Sequence, residues 1–264
     1  MPGERVTRQA VERYMPHKEL INEAFEIPQL KKKRRIWALL PHDYHTSEKS
    51  YPVLYLQDAQ NLFDEYAPFG NWAIDRRLAT LAAKGYGDLI VIAVDHAGTE
   101  RISEYSPYYH RKFGKGKGKL YAKFLIETLK PYVDKTFRTK ADRSHTGIGG
   151  SSMGGLISAY TGIVYPQYFS RLMIFSPSFW FSDEIYFDAF NYKYILPMKI
   201  YLYAGENESR YMTEHIHRFR EAVKSSVFEN PLTTFKIEIN PEGEHNEWYW
   251  GEAFEEAIPW LFFQ

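Results

Sequence analysis

Residues 147–156 read GIGGSSMGGL, five glycines packed around two serines. Glycine at this density marks backbone that turns sharply or is closely approached by other atoms. A β-rich run, SHTGIGGS at 144–151, leads into the stretch, and a helical pattern leaves it at Gly155. The pentapeptide Gly150-Ser151-Ser152-Met153-Gly154 is therefore GxSxG in a strand–turn–helix setting, the context of a nucleophile elbow with Ser152 at its centre. The competing reading is a glycine-rich turn whose serine only caps the following helix. The rest of the chain decides between them.

Working outward, apolar runs of the same kind recur at 35–41, 51–58, 89–95, 171–178, 199–205 and 235–240. Several are apolar throughout, without alternation, as in strands buried on both faces of a parallel sheet. Helical patterns separate them. The clearest covers 119–137, where Tyr121, Phe124, Leu125, Leu129, Tyr132 and Val133 form one stripe. Others span 72–83, 155–165, 211–225 and 252–263. This alternation predicts an α/β fold with a mostly parallel, doubly wound sheet flanked by helices. With 264 residues, 44% hydrophobic and no linker-like stretch, the chain reads as one domain over 20–264 behind an N-terminal extension, 1–19.

Thirty-three Lys plus Arg balance 33 Asp plus Glu, so charge gives no reason to expect nucleic acid or a membrane as partner. The lack of cysteine excludes disulfides and thiolate chemistry. MPGERVTRQAVERYM has no signal-peptide apolar core, which makes the cytoplasm the expected location and leaves a previously removed leader as the alternative. RKFGKGKGK (111–119) matches neither phosphate-binding glycine pattern and reads as a flexible cationic loop. KKKRR (31–35) reads as a solvated strand entrance. Oligomeric state is left open.

A serine hydroxyl needs a base, and the base a carboxylate that holds its tautomer. Three histidines follow Ser152. His215 and His217 lie two apart inside a helical pattern, on different faces. His245 lies in INPEGEHNEWYW, between the last strand and the C-terminal helix, where a catalytic histidine on a mobile loop is expected. The strand KIYLYAG runs straight into Glu206-Asn207-Glu208-Ser209, which supplies two carboxylates. Serine, acid and histidine then follow in order, each at a strand's C-terminal end.

The stretches LPHDYHTSEKSYPVLYLQDAQNLFD, TERISEYSP, GGSSMGGL, FSPSFWF, YLYAGENES and GEHNEWYW together resemble the putative-esterase family of α/β-hydrolases, over roughly residues 20–264. That family includes siderophore, feruloyl and acetyl-xylan esterases, S-formylglutathione hydrolases and mycolyltransferases. The resemblance implies an α/β-hydrolase fold, Ser152 as nucleophile, His245 as base and Glu208 as acid, with Glu206 the fallback. It also implies an oxyanion hole made by the N–H groups of Met153 and Gln60. Ala59 stands where the family carries glycine, so a positive φ there would strain it. Neither cofactor nor metal is implied.

Trp72, Trp180 and Asn61 fall where the cleft is expected, with core packing the alternative for the tryptophans. Residues 181–197 read as an insertion, either a lid or a plain crossover. The expected activity is a serine carboxylesterase acting on a small-molecule or carbohydrate ester, aromatic or siderophore-type esters included. The alternatives are an acyltransferase on the same triad and a non-catalytic binding protein with this fold.

Overall fold

The apolar runs that do not alternate become the centre of the sheet. The computed structural model describes residues 6–64, 67, 70–192, 195–226 and 231–264. Its strands are β1 (His17–Ile27), β2 (Lys32–Leu40), β3 (Val53–Gln57), β4 (Ile90–Val94), β5 (Tyr109–His110), β6 (Gly114–Lys115), β7 (Thr146–Ser151), β8 (Arg171–Phe175), β9 (Met198–Gly205) and β10 (Thr233–Asn240). Eight form one sheet in the order β1-β2-β4-β3-β7-β8-β9-β10, and β5 and β6 pair separately. From β4 to β10 every pairing is parallel, while β1 and β2 add antiparallel strands at one edge. The chain leaves β3 toward β4 on one side and returns as β7 on the other. The crevice at this switch point, beyond the carboxyl ends of β3 and β7, is where open α/β sheets place their sites.

Every residue of β3, β4 and β7 is buried. One face of the sheet is covered by the helix Met153–Val164 together with those over 118–136 and 212–224. The helices Ile74–Ala83 and Glu247–Ile258 cover the other. No helix among the described residues is long and apolar enough to cross a membrane.

Several expectations need correction. β1 begins at His17, so the expected domain boundary at residue 20 falls inside a strand, and residues 1–5 of the extension lie outside the described residues. Its sequence, HKELINEAFEI, escaped the pattern search because it is a largely exposed edge strand with register shifts at Asn22. The 119–137 helix is interrupted by a π segment, Leu125–Leu129. Pro131, one residue past Lys130, has no N–H to donate, and Tyr132 is 38% exposed. The 111–119 stretch is ordered: β5 and β6 form a ribbon, and Gly118 starts a helix.

The KKKRR entrance is also anchored. Lys32 pairs with Glu100 at 2.8 Å and Arg35 with Asp95 at 2.9 Å. Arg34 meets Glu104, whose side chain is 1% exposed, at 2.6 Å. Arg34→Ala is expected to lower unfolding free energy by about 3–5 kcal/mol, because Glu104 stays buried without its counter-charge. Urea denaturation at neutral pH checks this.

Candidate active site

Ser152 stands between β7 and the helix Met153–Val164 with φ 56° and ψ −122°. Such a conformation costs an L-residue on the order of 1–3 kcal/mol and persists only where its surroundings enforce it. Here they do so by contact. A Cβ at Gly150 would lie 2.9 Å from the Gly154 carbonyl carbon, and one at Gly154 would lie 2.9 Å from Asp58 Oδ2. The Ser152 N–H donates to Phe175 O at 3.0 Å, and its carbonyl accepts from Leu156 N and Ser178 N, each at 3.0 Å. The geometry is thus an elbow, and the serine's side chain makes no cap hydrogen bond to the helix.

The loop after β9 brings Glu208 to His245. His245 Nδ1 lies 2.7 Å from Glu208 Oε2, and the Glu208 side chain is 1% exposed. Glu208 Oε1 accepts from the Gly205 N–H and from Ser176 Oγ, both at 2.6 Å. Ser176 Oγ in turn accepts from Trp250 Nε1 at 2.8 Å. The Trp250 ring meets the His245 imidazole edge-on at 4.8 Å. Glu206 is exposed, and the carboxylate on the imidazole is that of Glu208. His245 precedes a helix that starts at Glu247 with Asn246 as N-cap, five residues earlier than the periodicity placed it. Its loop is tied down by the Asn207 N–H donating to Gly243 O at 3.0 Å. Among the described residues Ser152 Oγ meets Ser178 Oγ, at 3.3 Å, and has no hydrogen bond to His245. His215 bonds Tyr186 OH at 2.6 Å, away from this constellation.

Across the elbow, the turn after β3 carries positive φ at Asp58 (62°), not at Ala59, so the alanine is unstrained. Asp58 is held by a two-pronged ion pair with Arg101, Nε to Oδ1 and Nη2 to Oδ2, both 2.7 Å. The Gln60 side chain bonds the His96 backbone on both sides. Among the described residues neither the Gln60 nor the Met153 N–H has a backbone acceptor. Asn61 Nδ2 donates to Glu247 Oε1 at 3.1 Å, linking this turn to the histidine's helix. Burial raises the Glu247 pKa above 4.5.

Trp72 is core. It is 2% exposed and stacks on Phe175 at 5.5 Å, because its position between helix and sheet leaves no face toward solvent. Trp180 is 57% exposed at the centre of the short turn Phe179–Phe181. The 181–197 insertion contains the helix Glu184–Phe190, tied by Tyr108 OH to Asp188 at 2.7 Å; its residues 193 and 194 lie outside the described residues. Sequence reasoning missed Ser176, Ser178, Asp58 and Arg101. The signal for the first three was position at strand ends, within SPS and QDAQN; Arg101 starts a short helix, Arg101–Tyr105, and carried none.

His42, Asp43 and Asp88 bring ligand atoms within 4.8 Å of one another. Asp43 already meets Lys49 Nζ at 2.6 Å and Tyr51 OH at 2.7 Å, so a lysine supplies the positive charge there.

The profile of the family described as "Putative esterase" matches residues 27–261. The "Uncharacterized protein YbbA" of Bacillus subtilis is 23% identical over 243 residues, covering 87% of this chain and 92% of its own length. The structure of a ferulic acid esterase superposes with a TM-score of 0.71 at 18% identity, covering 94% of this chain and 98% of its own. An IroE-like serine hydrolase from Shewanella oneidensis gives 0.73 at 18% identity, covering 94% and 80%. At such identities these likenesses establish the α/β-hydrolase fold.

Two substitutions probe the framework. Ser176→Ala removes a donor to Glu208 and the acceptor of Trp250 Nε1, which is expected to cost about 1–3 kcal/mol in a denaturant titration. Because Glu247 binds its proton more tightly folded than unfolded, its contribution is favourable below pH 4.5 and declines as pH rises through the folded pKa. Glu247→Gln keeps the Asn61 contact and should flatten that decline; unfolding free energies across the acid range read it.

Proposed function

The chain belongs to the Putative esterase family, carboxylic ester hydrolases built on the α/β-hydrolase fold, and from this premise we propose that it cleaves esters through a covalent acyl-serine. Ser152 is the nucleophile, His245 the base and Glu208 the acid. The observation that carries this is the 2.7 Å contact of His245 Nδ1 with a Glu208 carboxylate that is itself buried and doubly bonded. A carboxylate so placed keeps the proton on Nδ1 and leaves the Nε2 lone pair free to take the serine proton. Closure of the Ser152–His245 contact belongs to the substrate complex, since catalytic hydrogen bonds often tighten only there.

Attack of Ser152 Oγ on the ester carbonyl passes its proton to His245 and forms a tetrahedral oxyanion. The N–H groups of Met153 and Gln60 are fixed dipoles that meet this charge without reorganising. Collapse breaks the ester C–O bond, and His245 gives its proton to the leaving alcohol. Water then attacks the acyl-serine, its proton passing to His245 and on to Ser152 as the acid leaves. Asn61 and the exposed Trp180 line the approach, and an open aromatic face suits an aromatic acyl group or a sugar ring.

Ser152→Ala and His245→Ala should each lower kcat on a 4-nitrophenyl ester by on the order of 10⁴-fold. A fluorophosphonate should add a single adduct at Ser152, read by intact mass and peptide mapping. Near-native turnover in either variant, or an adduct elsewhere, overturns the assignment.

A further inference from the structure

The segment that no catalytic step uses, Arg111 to Lys119, carries five cations and no carboxylate in a chain of zero formal charge. Its backbone is held firmly. The Gly116 N–H donates to Tyr108 O at 3.0 Å, Lys117 N–H to Ser103 O at 2.7 Å and Gly118 N–H to Ser106 O at 2.7 Å. A Cβ at Gly116 would stand 2.0 Å from Ser106 O, and one at Gly118 2.5 Å from Pro107 N. The glycines therefore press on the 106–107 backbone, and Lys115 and Lys119 are left exposed. Lys117 pairs with Glu100 at 3.2 Å, but among the described residues Arg111, Lys112, Lys115 and Lys119 pair with no carboxylate. A cavity of about 540 Å³ opens beside them, with Tyr109, Lys115, Lys119, Leu120 and Glu184 in its lining.

This cationic row is joined to the nucleophile by aromatic packing. Ser178, whose hydroxyl is 3.3 Å from Ser152 Oγ, accepts the Phe181 N–H at 3.0 Å. The Phe181 ring lies 4.5 Å from His110 and stacks on Phe113 at 5.7 Å. Tyr109 and Trp180, 65% and 57% exposed, present open ring faces nearby. Cations fixed on an anchored backbone bind an anion with little further ordering, and unpaired they raise its local concentration.

We propose that this ribbon is the distal part of the substrate site and takes the carboxylate-bearing portion of an acidic sugar-chain ester. Such a chain offers apolar ring faces to the aromatics and carboxylates to the lysines. The proposal rests on the esterase reading, since it assigns the ribbon to the ester that Ser152 attacks.

The test compares acetate release from an acetylated oligogalacturonide and from an acetylated xylo-oligosaccharide of equal length, with 4-nitrophenyl acetate as a third substrate. The wild type is expected to prefer the acidic chain. The ratio of kcat/KM, acidic over neutral, should fall about tenfold in the double variant Lys115→Glu/Lys119→Glu and also as salt rises from about 20 to about 300 mM. Lys140→Glu, near the start of β3 at the opposite end of the sheet, should keep the ratio. A wild-type ratio near one, a ratio unmoved by the double variant, or one moved equally by Lys140→Glu overturns the proposal. If 4-nitrophenyl acetate is cleaved and neither sugar ester is, the ribbon assignment alone falls. If nothing is cleaved, the esterase reading falls with it.

Discussion

The close approach of three backbone segments at the end of β7 is the constraint on which the site depends. The strand end, the first turn of the helix Met153–Val164 and the turn after β3 converge so tightly that residues 150 and 154 have no room for a Cβ. Ser152 is left at φ 56°, a conformation that only strong surroundings sustain. The surroundings are a fully buried strand on one side and bonds to Phe175, Leu156 and Ser178 on the other. The same crowding sets the Asp58 turn against the elbow, where a Cβ at Gly154 would meet Asp58 Oδ2 at 2.9 Å. Strain in a single residue thereby follows from sheet packing and leaves Ser152 half-buried between strand and helix.

The Glu208–His245 pair follows a second rule, that a buried carboxylate must have its hydrogen bonds made. Glu208 meets it through the Gly205 amide, Ser176 and His245, and Ser176 is completed by Trp250. These groups come from the ends of β8 and β9, the loop after β10 and the C-terminal helix. Ser176 itself sits at positive φ, 41°, so a second strained serine next to the elbow aims a hydroxyl inward. The Asn61–Glu247 contact then ties the β3 turn to the helix that carries the histidine loop. Neither half of the site can shift without disturbing the other.

Net charge conceals how charge is distributed. The antiparallel edge neutralises its cations locally, with Arg34 on Glu104 and Arg35 on Asp95. The β5–β6 ribbon and its flanks do the opposite: Lys117 pairs with Glu100, while Lys112, Lys115 and Lys119 meet no carboxylate among the described residues. Composition alone treats these stretches alike, and the difference lies in which acidic side chains the fold brings within reach.

By itself the sequence determined the central strands and the sharp turn at Ser152, because each depends on local chemistry: unbroken apolar runs, glycine spacing and position after a strand. The polar edge strand β1 left no such trace, since an exposed, bulged strand needs neither alternation nor apolarity. Tertiary structure put Glu208 rather than Glu206 against the His245 imidazole, moved Trp72 from cleft to core and ordered the glycine-lysine ribbon. It also moved the positive φ from Ala59 to Asp58. Each of these turns on distances between segments far apart in the chain, and those distances exist only once the sheet has brought its strand ends together.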